Sequence, residues 1–367
     1  MPRCVALVIS LLTALLIAGL SGCASAPEQA SALPPPPVYP PPPDKPRFIF
    51  ERTLLYSDDV EEYTAYQRFR EFATGSSRKL HGMVKPFDVA VHKRRVYVSD
   101  SVQRNVMLFD IPGKHFAEIG VDEPGQLKKP LGIAISPGGD LYVADITLQR
   151  VMVYDRDGHF LRAIGSPEQL RRPSDVAISP DGRRLYVVDT GGIDTQDHHV
   201  YVYDSHSGDY LQRIGTRGTG KGQFNLPLQA AVDAEGRLYV VDGGNFRIEV
   251  FDADGNYLSS FGSVGRLPGQ FARPKGIAIG PNDNSYVVDA AFGNIQLFNP
   301  QGQLLMVIGE RGHAGLPGKY MLPAGIAVGE DGRIYVVDQF FRKVDIYRPI
   351  DLPADESGKS PDAAQDR

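Results

Sequence analysis

Six aspartates close six similar runs along this chain: Asp100, Asp145, Asp189, Asp242, Asp289 and Asp338. Carboxylates repeated at one register could line a cation site or serve acid–base chemistry. Five residues after most of them stands a donor: Asn105, Arg150, Arg247, Asn294 and Lys343, with His199 after a longer gap in the third copy. An acceptor and a donor in every copy read as a repeated pin between two strands rather than as six catalytic acids. A second set is more selective. Two residues after a recurring proline (Pro86, Pro130, Pro173, Pro227, Pro274, Pro323) stand Asp88, Gly132, Asp175, Gln229, Gly276 and Gly325. Asp88 and Asp175, with Gln229 beside them, could hold an ion or a water if the fold brings these positions together.

Other chemistry is thin. The segment Thr190 to His199 gathers Asp194, Asp197, His198 and His199, residue types that ligate zinc or calcium. The two histidines are adjacent, however, and a strand would point them to opposite faces. The remaining histidines (His81, His92, His115, His159, His206 and His313) are scattered. No CxxCH, glycine-rich phosphate loop or HExxH occurs. The two cysteines, Cys4 and Cys23, lie close to the N-terminus, so no disulfide framework is expected. No cofactor is expected either.

The elements that must position these residues are short strands. Phe224 to Gly262 reads as four of them: LQAAV, LYVVD, RIEVFD and YLSSFG, separated by AEG, GGN and ADG. Each run is rich in β-branched and aromatic residues, and each break carries the Gly, Asn or Asp of a tight reversal. The unit recurs with successive gaps of 45, 44, 53, 47 and 49 residues between the closing aspartates. A glycine ends the fourth strand at Gly120, Gly165, Gly215, Gly262 and Gly309. Four strands per unit at this period predict an all-β, six-bladed β-propeller of four-stranded antiparallel blades. The sixth copy lacks its fourth strand, and Phe48 to Leu55 is the expected donor from the N-terminus. In such a ring the first strands line a central channel, which is where Asp88, Asp175 and Gln229 would meet.

GQFxxPxGIA, YVVD, RxxVFD and GxxLxxIG resemble the NHL repeat, in its bacterial extracytoplasmic lipoprotein form, over roughly residues 48–347. That resemblance implies the propeller but not one activity, since the family spans RNA-binding domains, an amidating lyase, sensor domains and partner-binding scaffolds. An enzyme resembling the amidating lyase would need histidines at equivalent channel positions of several blades, and the set here has none. A channel-metal enzyme of lyase or lactonase type is therefore the alternative reading, behind a binding scaffold.

Outside the repeat, residues 1–22 read as a signal peptide: Arg3, then an apolar stretch from Val5 to Leu20, then Leu20-Ser21-Gly22-Cys23. That tetrapeptide resembles a lipobox, which implies an acylated Cys23 as mature N-terminus, with Ala24 after it resembling outer-membrane sorting. Residues 23–46, with Pro34 to Pro37 and Pro40 to Pro43, are expected to form a stiff polyproline spacer of up to about 70 Å. Residues 47–350 are the propeller. Within it, residues 57–73 predict a helix capped by Ser57 or Asp58, whose stripe of Val60, Tyr63, Tyr66, Phe69 and Phe72 is expected to pack on the propeller. A lid or a docking helix is the alternative. Residues 351–367 are expected to be disordered.

Charge placement carries the functional expectation. The chain has a formal net charge of −5 with 23% charged residues, which argues against a bulk nucleic-acid binder. In a propeller, the inter-blade connections and the second-to-third-strand turns share one face. The residues just before the recurring prolines are Lys85, Lys129, Arg172, Leu226, Arg273 and Leu322, with Lys275 just beyond the fifth proline. No turn rule demands Lys or Arg there. The opposite face takes the hairpin tips, whose acids and glycines turn geometry does demand. The basic face, with Lys85, Lys129, Arg172, Arg273 and Lys275, is therefore the expected binding surface for an envelope protein or an anionic envelope polymer, on a protein held to the membrane by its lipid.

Overall fold

The computed structural model describes residues 35–62, 64–75, 80–192 and 195–353. The expected signal peptide, Cys23, Tyr63, Asp194 and the polar tail beyond Pro353 lie outside them.

Residues from Pro36 onward form one compact unit. It contains six antiparallel sheets in ring order. Blade 1 consists of Pro86–His92, Arg95–Asp100, Asn105–Asp110 and His115–Ile119. Blades 2 to 5 repeat the pattern, with first strands Pro130–Ile135, Pro173–Ile178, Pro227–Val232 and Pro274–Ile279. Blade 6 takes Pro323–Val328, Ile334–Asp338 and Lys343–Pro349 from the C-terminal end, and Phe48–Leu54 pairs antiparallel with the last of these. The closure expected from the truncated sixth copy is therefore present. It is reinforced by a buried ion pair, Lys343 Nζ to Asp345 Oδ2 at 2.7 Å, with Thr53 Oγ1 of the N-terminal strand donating to Asp345 Oδ1 at 2.7 Å.

Each blade is apolar on both faces because both are covered. Six apolar clusters fill the six inter-blade spaces. The one joining blades 6 and 1 contains Leu54, Val89, Val98, Phe109, Val337 and Ile346, so the ring closes with the same packing that holds its other joints. Fully burying one such side chain contributes about 1.5–3 kcal/mol.

Two expectations need correction. The proline-rich segment is not all spacer: Val38–Tyr39 adds a fifth strand outside Phe48–Leu54, with Val38 opposite Ile49 and Tyr39 opposite Phe48. Tyr39 packs edge-on against Tyr347 at 5.7 Å, and that aromatic contact, with the backbone pairing, ties residues 36–46 into the fold. The helix also differs. Ser57–Asp59 is a single 3-10 turn, and the α-helix runs Ala65–Thr74, capped by Thr64 with Gln67 in a capping box and ended by Gly75 at φ 65°. Val60 is buried in the blade 6–blade 1 joint, but Tyr66, Phe69 and Phe72 are 72%, 67% and 87% exposed. The aromatic stripe does not pack on the propeller. A helix this short, linked by a turn, can cover the joint with Val60 alone and leave its own stripe outside.

Candidate functional site

The six closing aspartates are clamps. Asp145 is fully buried; its Oδ2 accepts from the backbone N–H groups of Lys128 and Lys129 at 2.7 and 2.9 Å, and its Oδ1 from Thr147 and Leu148 at 3.0 Å each. Asp100, Asp289 and Asp338 each take the equivalent four N–H groups. Asp189 takes three, from Arg171, Arg172 and Gly191. Each carboxylate thus fastens the connection arriving from the previous blade to the turn between the second and third strands. The side-chain donor expected five residues on is the partner only in blade 4, where Arg247 Nε donates to Asp242 at 3.1 Å. Elsewhere it serves other acceptors: Asn105 donates to Glu118 Oε1 at 2.7 Å, and His199 Nδ1, facing the Gly215 carbonyl at 2.8 Å, must carry its proton there. Backbone amides outcompete side chains because two of them already lie in the turn, two and three residues after the aspartate.

The clamp fixes the residues ahead of the prolines. Lys85, Lys129, Arg172 and Arg273 are held by N–H bonds to the aspartates, and their carbonyls accept from the facing turns at 2.9–3.2 Å. Their side chains are exposed, and among the described residues none of the four is paired with a carboxylate. Lys275 sits one residue after Pro274, at the channel mouth of the same face. Burial, then the charge of Arg273, pushes its amine down to about 8, with Lys85 adding to the effect and Asp338 opposing it. The basic face is therefore a rigid display of cations around a half-buried lysine.

The channel positions converge as expected. Asp88, Asp175 and Gln229 come from blades 1, 3 and 4 and are all buried. Asp88 Oδ2 accepts from Ile133 N at 2.9 Å, and Asp175 Oδ2 from Ala230 N at 2.8 Å. Asp88 and Asp175 oppose each other's ionisation across the channel, and Gln229 adjoins Asp88. Two carboxyls in contact cannot both be ionised, so one proton lies between them. Burial, then the charge of Asp88, pushes Asp175 well up, while burial raises Asp88 to about 6 against the bonds from Ile133 and Gln229. Asp175 is the proton donor of the pair. The glycines in this ring are needed for space: a Cβ on Gly132 would lie 1.9 Å from Asp175 Oδ1, and one on Gly325 2.2 Å from Asp88 Oδ1. Ser99 and Ser174, which the sequence reading did not single out, bridge neighbouring blades here, donating to the carbonyls of Leu131 and Leu228 at 2.5 and 2.9 Å. A serine adjoining a channel position was the available signal.

This donor set does not fit a histidine-ligated metal, because it offers two carboxyls joined by a proton and one amide. In the long loop of blade 3, His198 Nδ1 accepts from Leu226 N at 3.0 Å, so its proton sits on Nε2, and His199 gives its Nδ1 proton to the Gly215 carbonyl. The one group of three acids that the described residues bring within 4.8 Å is Asp233, Glu235 and Asp283, on the opposite face. Arg237 already bridges the first two at 2.6 and 2.8 Å.

Comparison with known proteins agrees with this architecture. Residues 90–190 match the family described as SMP-30/Gluconolactonase/LRE-like region. The human NHL repeat-containing protein 3 is 32% identical over 116 residues, covering 28% of this chain and 31% of that protein, so the match spans about a third of the relative's length. Among solved structures, a gluconolactonase from Xanthomonas campestris superposes with a TM-score of 0.56 at 17% identity, over 73% of this chain and 86% of that one. A virginiamycin B lyase from Staphylococcus aureus gives 0.53 at 16%, over 76% and 86%. At these identities the structural likeness speaks to fold alone. The repeat, the closed ring and the curated relative together support an NHL-repeat β-propeller.

Proposed function

We propose that this propeller is a binding scaffold, anchored in the cell envelope through a lipid on Cys23, whose basic face engages an anionic surface of a partner protein or an envelope polymer. One observation carries the reading: Lys85, Lys129, Arg172 and Arg273 are fastened by backbone clamps while their charged ends remain exposed and unpaired among the described residues. Cations held on rigid connections lose little freedom on binding, which favours recognition of fixed anions. The lipidation and an outer-membrane, periplasm-facing location rest on the Leu20-Ser21-Gly22-Cys23 motif and on Ala24.

The lactonase and lyase likenesses favour a channel-metal enzyme only at the level of fold, and the Asp88–Asp175–Gln229 cluster lacks the imidazoles that reading calls for. The test is retention on an immobilised polyanion such as polyphosphate, together with capture from envelope extract. The parent is compared with K85E/K129E/R172E/R273E at matched thermal stability. Binding by the parent and not the variant supports the scaffold; equal behaviour of the two refutes it.

A further inference from the structure

Two lysines of this ring are taken out of solvent in opposite ways. Lys343 is buried and has acceptors: Asp345 Oδ2 at 2.7 Å and the carbonyls of Leu316 and Gly315 at 3.0 and 3.4 Å. Lys275 is half-buried, and among the described residues no hydrogen bond or ion pair holds its amine. The charged groups that act on it are Arg273 of the same connection, Asp338 of blade 6 and Lys85 of blade 1. Asp338 is already engaged by four backbone N–H groups of its clamp at 2.8–3.0 Å. What remains around the amine is positive charge, brought from both sides of blade 6.

The fold does not ask for a cation there. One residue past the recurring proline, the other blades carry Phe87, Leu131, Ser174, Leu228 and Ala324. In blade 5 this place falls in the bulge between the Pro274–Asp289 and Ile277–Val287 pairs, which an apolar or small side chain serves in other blades. A recessed amine with cations for neighbours and no acceptor is unfavourable, which is why its proton is held weakly. Lys275, Arg273 and Lys85 together complement a compact anion of more than one charge. A flat acidic surface meets the exposed ends of Lys85 and Arg273 but does not reach a recessed amine. A protruding phosphoryl group does, and its oxygens accept from ammonium and guanidinium groups at once. Further in stand the buried Asp88 and Asp175, which oppose an anion drawn deeper and keep it at the mouth.

We propose that the channel mouth of the basic face is a phosphate-monoester site, with Lys275 as its central ligand and Arg273 and Lys85 beside it. This rests on the basic-face reading above and narrows its ligand to a dianionic phosphoryl group, carried by a small molecule or by the end of a phosphorylated polymer.

The experiment uses the chain from residue 36, which is the compact unit. It is acetylated with a small anhydride across pH, alone and with inorganic phosphate, glycerol 3-phosphate, polyphosphate or the diester diethyl phosphate, and each lysine is read by peptide mass spectrometry. Titration calorimetry with inorganic phosphate compares the parent with K275M. Because that substitution removes an amine with no acceptor, the variant should keep or exceed the parent's thermal midpoint. The expected result is that inorganic phosphate and a monoester or polymer end slow acetylation of Lys275, move its profile to higher pH, and leave exposed Lys93 unchanged, because a bound dianion favours the ammonium form. The diester should do neither, and K275M should bind phosphate at least about tenfold more weakly. Protection by glycerol 3-phosphate assigns a small ester and protection by polyphosphate without it a polymer end; either supports the site. A Lys275 indifferent to every phosphate, K275M binding phosphate like the parent, or equal protection by the diester overturns it. Retention of the parent on polyphosphate in those cases leaves the basic-face reading standing, and loss of retention as well overturns both.

Discussion

Replacing Asp175 with asparagine tests the proton placed at the centre of the channel. The asparagine amide can donate to Asp88 where the acid's O–H did, and its oxygen can still accept from Ala230 N. The substitution therefore keeps the shape and removes the titration. In the parent, the folded pair keeps a proton that the unfolded carboxyls release near pH 4. A group whose folded pKa is raised contributes fully below its unfolded value and loses that contribution as pH rises toward its folded value. Each retained proton lowers stability by about 1.4 kcal/mol per pH unit. Asp88, raised to about 6, stops contributing to that loss near pH 6. Asp175, pushed well up by burial and then by the charge of Asp88, holds a proton that the unfolded chain releases, so the parent loses stability relative to the variant as pH rises from 4. Urea unfolding of parent and D175N at pH 4, 5, 6 and 7 should show near-equal stability at pH 4, with the variant increasingly ahead as pH rises. Groups elsewhere cancel in the difference. A difference that stays flat across this range would refute the shared proton.

Two further outcomes follow from the clamp and the channel mouth. Asp145→Ala strips the acceptor from four backbone N–H groups and should lower unfolding stability by about 3–5 kcal/mol, since water reaching the turn offsets part of the loss. A fall below about 1 kcal/mol would mean the strands hold without the clamp. The Lys275 amine, pushed down to about 8, should be acylated by a small anhydride at pH 8 far faster than the exposed lysines, as read by peptide mass spectrometry across pH. A rate profile for Lys275 that parallels Lys85 would show that burial does not depress it.

The strands were legible because each carries its own signal: β-branched runs, a closing aspartate and a glycine-bearing reversal, repeated six times. Closure was legible from what the sixth copy lacked. Val38–Tyr39 was not, since two residues inside a proline run offer no period to read, and its pairing depends on an edge that exists only after Phe48–Leu54 has docked. The helix was placed approximately, but its exposure could not be read from the stripe, because an i, i+3 aromatic row looks the same whether it meets a core or solvent. The closing aspartates were read as half of a side-chain pair. The nearer backbone amides two and three residues on were the better candidates on local geometry alone. At the channel, spacing brought Asp88, Asp175 and Gln229 together correctly, but the retained proton depends on how completely the ring buries the two acids.

The clamp also decides which residues the fold leaves free. Its bonds use only backbone N–H groups, so it places no demand on the side chain ahead of each proline. Leu322 occupies that place in blade 6, with its N–H bonded to Asp338 at 3.0 Å just as Lys129 is bonded to Asp145. A leucine satisfies the clamp as well as a lysine does, so the cations at Lys85, Lys129, Arg172 and Arg273 are not required for the ring to form. The acids at the hairpin tips are different: Asp252, for example, accepts from Asp254 N and Asn256 N at 3.0 and 2.8 Å to make its turn. Acid on one face is bound up in folding and base on the other is not. Neutralising the cations should therefore change what the protein binds while leaving its unfolding midpoint close to the parent's, and it is this separation that makes the binding experiments interpretable.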